Sequence, residues 1–221
     1  DMYANGDGGC VYFVDSETFN NGFVFRDVTM ERCTAGDRGG GVFAQLLLPW
    51  VHGWSCTDCT AGNQGGGSWM RNQWGGHMAD VYMTRAVSAN EGGGFYIIGG
   101  TYALKRFECH HCKASQGSSD PFSCGSGIAM STSATLDLQD VVVADHINCG
   151  MQITGGAKVT VRRGRFFRGD VQIGGGALIT GAEAIFIDTV FELLETDQGG
   201  GAFWAHLAST TVTLENCEIH R

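Results

Sequence analysis

Two Cys-x-x-Cys pairs make the sharpest chemical suggestion in the chain. Cys56-Thr57-Asp58-Cys59 and Cys109-His110-His111-Cys112 offer thiols and imidazoles, the ligands of tetrahedral zinc. Strand alternation, however, would send Cys109 and His111 to one face and His110 and Cys112 to the other. A disulfide or packed thiol is therefore the expected state, and no metal or other cofactor is expected. A second constellation is carboxylic. Asp137, Asp140 and Asp145 precede Arg162, Arg163 and Arg165 by about one repeat, and carboxylates gathered beside arginine do acid/base work on polyuronides. If that were their task, loss of Asp140, Asp145 or Arg163 would abolish an activity. Charge pairing on the surface explains the same residues, so no catalytic residue is assigned. A third group is aromatic: Trp50, Trp54, Trp69 and Trp74 are candidate glycan contacts, with interior packing as the competing use of the chain's aromatics.

The elements that would position these groups are written in a repeat. TAGDRGGGVFA at 34–44 returns as TAGNQGGGSWM at 60–70 and SANEGGGFYI at 88–97, and more loosely as GDVQIGGGALI at 169–179 and ETDQGGGAFWA at 195–205. Gly40, Gly66, Gly93, Gly175 and Gly200 serve as markers of the knots. Degenerate copies near Gly9, Ser126 and Cys149 bring the array to about eight repeats of roughly 25 residues, a period typical of solenoids. The GGG knots lie between strand-like stretches, with no following helix or Gly-Lys-Ser/Thr, so phosphate cradling fails on context. The Thr-rich stretches do not recur at one position in the repeat, which argues against an ice-binding face.

Each repeat holds a knot, a short apolar run, a turn and an alternating stretch such as AKVTVRRG, AEAIFIDTVFEL or STTVTLENCEI. Period-two alternation rich in Val, Ile, Thr and Phe reads as strand. The fold class is all-β: a parallel β-helix of about eight coils with three short strands per coil, right-handed by crossover preference. It forms a single repeat domain over 1–221. Asp37, Asn63, Asn90 and Asp197 precede the knots and are expected to form a hydrogen-bonded ladder, with the knot glycines in tight positive-φ corners. Val42/Phe43, Trp69, Phe95/Tyr96, Leu178 and Phe203/Trp204 should stack as one apolar column.

Nine cysteines, with no redox-enzyme pattern, favour an oxidising compartment and structural disulfides. Cys33 and Cys59 hold equivalent positions one coil apart, within disulfide reach, and Cys124 and Cys149 form a second candidate pair. The spacing leaves Cys56, Cys109 and Cys112 without assigned partners, and the odd count leaves at least one thiol free or paired elsewhere. The net charge of −9, with lysine only at Lys105, Lys113 and Lys158, disfavours nucleic acid and anionic membranes as partners. Hydrophobic residues make up 43%, enough for a core, and no run approaches a membrane span.

The knots GGGVF, GGGSW, GGGFY, GGGAL and GGGAF, with the strand ends Phe25-Arg-Asp-Val, Phe186-Ile-Asp-Thr and Leu214-Glu-Asn-Cys217, resemble the β-helix repeats of polymorphic outer membrane proteins and related adhesins, within the pectin-lyase-like solenoids. The resemblance implies an extracellular or cell-surface location and supplies no catalytic residue. Asp145-His146 lacks the tryptophan that precedes the Asp-His of pectate lyases, and the polygalacturonase motifs are missing. The resulting expectation is a non-catalytic structural segment, partnered by other copies of itself or by flanking segments of a larger surface protein. A glycan-binding module is the alternative, and a polysaccharide lyase or hydrolase a further one. With no amphipathic helix seen at either end to cap the strand edges, the coil stack is expected to continue into more chain or onto another copy.

Overall fold

The computed structural model describes residues 1–14, 22–45, 48–71, 75–115, 124–171, 174–196 and 199–221. Among these there is no helix, and every paired strand is parallel to its neighbours. The chain is a parallel β-solenoid with two sheets running along its length and a shorter third one from Met2–Ala4 to Lys113–Ala114. One sheet stacks eight four-residue strands, from Val11–Val14 through Val42–Gln45, Ser68–Arg71 and Phe95–Ile98 to Phe203–His206, and these bound about seven turns. A second stacks long strands, including Gly22–Glu31, Leu48–Thr57, Gly76–Thr84, Thr101–His110, Thr135–Ala144 and Lys158–Val171. A third, of two or three residues per strand, includes Cys33–Ala35, Thr60–Ala61 and Val87–Ser88.

The long strands are not straight. Each is bent by one left-handed residue, at Asp27, Gly53, Asp80, Arg106, Asp140 and Arg163, and a second left-handed residue, at Arg32, Asp58, Arg85, His111, Asp145 and Arg168, turns the chain into the next segment. Asp and Asn tolerate this region because their short side chains bond locally; arginine there is held by the stack around it. Every left-handed residue resets the in/out alternation of the strand. Cys109 and Cys112 therefore both point inward, contrary to the strict alternation expected from sequence, because His111 lies between them with φ 54°.

The interior is mainly apolar, with the His146 side chain buried in it. Trp54 meets Phe25 edge-on at 5.9 Å and Phe95 at 5.7 Å, and Phe95 continues to Phe107 at 5.4 Å. Phe166, Phe186 and Phe191 fill the later coils. The residues after the knots form two columns rather than one, because strand neighbours face opposite ways. Val42, Phe95 and Ala177 enter the main core, while Phe43, Trp69 and Tyr96 form a separate buried cluster on the other side of their sheet. Tyr12 stacks on Phe43 at 5.0 Å, Phe43 on Trp69 at 4.6 Å, and the Arg38 guanidinium, paired to Asp7 at 2.8 Å, covers both Phe43 and Trp69.

The knots also differ in detail from the expectation. In the first four triads positive φ falls on the first glycine, as at Gly39 (φ 66°), not on the marker, as at Gly40. Gly40 is required for close approach: an added Cβ would lie 2.6 Å from the Thr60 carbonyl carbon. Gly66 and Gly93 repeat this role, and Gly175 packs against Gly201. Gly200, with φ 69°, is thus equivalent to Gly39 rather than to Gly40, one residue out of the expected register.

Candidate binding face

Asp37, Asn63 and Asn90 are bonded in series: Asn63 Nδ2 donates to Asp37 Oδ1 at 3.0 Å, and Asn90 Nδ2 to Asn63 Oδ1 at 2.6 Å. Asp197 lies outside the described residues. The side-chain amides of Asn63 and Asn90 thus tie each coil to the one before it.

Four disulfides join Cys10–Cys33, Cys56–Cys59, Cys109–Cys112 and Cys124–Cys149. The Cys33–Cys59 pairing expected from register does not form. Stacked equivalents point in parallel about 4.8 Å apart, wider than the Cβ separation a disulfide needs. Cys56 instead reaches Cys59 across the left-handed Asp58, with Cα atoms 6.2 Å apart. With both Cys-x-x-Cys pairs oxidised, no thiolate is left there for zinc, and the described residues contain no group of three or more metal-ligating side chains. Cys217 is the free cysteine. Four disulfides suit an oxidising, non-cytoplasmic environment, and no helix among the described residues is long and apolar enough to cross a membrane.

The candidate catalytic carboxylates are spread out and paired. Asp140 accepts from Arg163 at 2.7 Å and Asp145 from Arg168 at 2.5 Å. They occupy different corners, separated by on the order of 16 Å of extended strand. Asp58 pairs with Arg85 at 2.6 Å, Asp80 with Arg106, and Arg165 turns to Glu192 at 2.7 Å. In each case the arginine one coil away holds the carboxyl below its ordinary range: Asp58, Asp80, Asp140, Asp145 and Glu192. A carboxyl that gives up its proton so readily is a poor general acid at neutral pH. The surface charge pairing offered by the sequence holds for Asp140 with Arg163; what sequence reasoning missed is that such pairs recur at the left-handed corners of successive coils.

The pairs are solvent-accessible, so each is worth little on its own. Asp80→Asn keeps the left-handed preference and is expected to cost within about 1 kcal/mol. Asp80→Val places a β-branched residue at φ 56° and is expected to cost about 2 kcal/mol, as read by thermal unfolding of the two variants.

Of the three described tryptophans considered for glycan contact, Trp50 alone is on an open face, at 55% exposure. Trp54 and Trp69 are 1% and 2% exposed, the first in the core and the second under Arg38. Trp74 lies outside the described residues. Trp50 sits on the outer face of the long-strand sheet, where the register sets two neighbouring columns. Val24, Trp50, His77, Ala103 and Asp137 form one; Arg26, His52, Ala79, Lys105 and Gln139 form the other. Ala79 and Ala103 leave a notch among larger side chains, and a groove of about 460 Å³ results. The Trp50 and His77 rings stand 4.9 Å apart, tilted by 39°. A second hollow of about 450 Å³ shares Trp50, His77 and Ala103 and extends to Thr101 and Asp137.

No family model, curated protein or solved structure matches the chain. The solenoid fold accordingly rests on the strand register, and any reading of function rests on the chemistry of this face and of the corner ladders.

Proposed function

We propose that the chain is a non-catalytic structural β-solenoid of an extracellular or cell-surface protein or filament, stacked with further coils of a larger chain or with other copies. The observation that carries this reading is the commitment of its polar groups to the neighbouring coil. Corner carboxylates bind arginines one turn away, the Asx ladder binds itself, and two disulfides span more than twenty residues, with sequence separations of 23 and 25. Such a rod gains length and rigidity from nearest-neighbour contacts. Its service is mechanical, presenting a surface at a fixed distance from whatever anchors it.

The test has two arms. Negative-stain electron microscopy of the non-reduced protein is expected to show rods or end-to-end fibres that resist protease. Incubation with uronide and neutral polysaccharide panels is expected to give no turnover. Turnover that disappears in Asp140→Asn or Asp145→Asn would overturn the reading in favour of an enzyme.

A further inference from the structure

We infer that the groove around Trp50 and His77 is a binding site for an anionic saccharide, carrying carboxylate or sulfate groups. The inference adds a ligand to the scaffold and does not depend on whether the rods assemble. It starts from a contrast of charge. The chain carries −9 overall, yet the main lobe of the groove is lined by Arg26, His52, His77 and Lys105 and by no carboxylate. Lys105 is one of only three lysines. Neither Arg26 nor Lys105 forms an ion pair among the described residues, unlike the corner arginines Arg85, Arg106, Arg163 and Arg168. Two acids lie near Lys105, each engaged by an arginine: Asp80, which also stands 3.3 Å from His52 Nε2, by Arg106, and Asp140 by Arg163. The second lobe does carry a carboxylate, Asp137, which would repel an anion but accept hydrogen bonds from sugar hydroxyls.

The shape specifies a saccharide. The floor is made of Ala79 and Ala103, and beside them the Trp50 and His77 rings, in contact one coil apart in the same column, form a single aromatic wall. Aromatic faces pack against the apolar C–H face of a pyranose while polar groups at the rim bind its hydroxyls. Recognition groups recur at the strand spacing of about 4.8 Å, close to the rise of an extended pyranose chain. Along this axis Arg26, His52 and Lys105 sit on one side and Thr101 and Asp137 at the far end of the other. A bound chain would place its acidic substituents against Arg26 and Lys105, with His52 Nε2 and the Gln139 amide as further polar groups of that column.

Calorimetric titration of the non-reduced protein tests this, with four probes of equal length: a sulfated oligosaccharide, an oligouronate, a neutral oligosaccharide and an oligoglutamate. Binding to at least one anionic saccharide is expected, weakening with added salt, and which of the two binds assigns sulfate or carboxylate. Trp50→Ala and Lys105→Gln should each weaken it roughly tenfold. Ala79→Glu, which fills the notch and reverses its charge, should abolish it. Thermal unfolding of all three variants within a few degrees of the parent separates lost binding from lost fold. No binding to either anionic saccharide would overturn the inference, as would equal binding of the neutral sugar, tighter binding of the oligoglutamate, or indifference to Trp50→Ala. None of these results touches the scaffold reading, which fails on turnover or on the absence of protease-resistant rods.

Discussion

Trp54→Ala is expected to destabilise the protein by about 4 kcal/mol, while Trp50→Ala, four residues away in the same strand, stays within about 0.5 kcal/mol. The difference lies in what each ring touches. Trp54 is 1% exposed and fills the space between Phe25, one coil before it, and Phe95. Deleting it removes the transfer energy of a large aromatic and leaves a cavity between coils that the stacked backbone cannot close. The indole Nε1 of Trp54 has no hydrogen-bond partner among the described residues. Trp54→Phe therefore keeps most of the packing and sheds a buried unpaired donor, and it should recover most of the loss. Guanidinium unfolding of the three variants under non-reducing conditions reads these differences directly. A Trp54→Ala cost no larger than that of Trp50→Ala would mean that the first coils are not packed as described.

The same pair of residues shows how far the sequence could be read. The repeat, the parallel solenoid and the Asx ladder were legible because they rest on periodicity and on residue types with strong local preferences. The fate of individual side chains was not. Trp50 and Trp54 are an even number of residues apart, so alternation places them on one face. Gly53, at φ 72°, resets the alternation between them and turns Trp54 inward. The three-residue spacing of Cys109 and Cys112 implies opposite faces, and the left-handed His111 brings them to one side, where they bond. Left-handed corners occupied by arginine carry no compositional signal, since arginine has no local preference for that region and enters it where the stack imposes it. Where glycine or Asx marks the corner, the pattern is visible; where arginine follows in the next coil, it becomes visible only through the ion pair it makes. The groove was hidden for a related reason. Its lining comes from four or five strands, each contributing one or two outward residues, and only the register between coils brings Trp50, Ala79 and Lys105 together.

Acid is expected to weaken the fold through His146. This side chain is 1% exposed and follows the left-handed Asp145, so it points inward at a position held by Cys59, Ala86 and Cys112 in earlier coils. Its Nδ1 donates to the Asn148 carbonyl at 2.7 Å, while Nε2 has no partner among the described residues. Its ring occupies the space that a side chain at Gly169 would need. Burial drives the pKa from 6.5 down to about 4, against the smaller opposing effects of the Asn148 hydrogen bond and the Asp145 carboxylate. Between these values the unfolded chain binds a proton that the folded chain refuses, so stability falls as pH drops from about 6.5 to about 4 and is fully present above that window. A shift of this size corresponds to about 3 kcal/mol. The arginine-paired carboxylates respond lower: with folded pKa values below 3.8, Asp58, Asp80, Asp140 and Asp145 contribute stability that is lost only as pH falls beneath that value. The two effects therefore separate on the pH axis. His146→Leu removes the titrating group at nearly constant volume, and its cost at pH 7 should stay near 1 kcal/mol, from the lost hydrogen bond. Denaturant unfolding at pH 7, 5.5 and 4.5 should show the parent weakening steadily while the leucine variant stays nearly level. Parallel loss in both proteins would place the acid sensitivity elsewhere and leave the buried imidazole as packing alone.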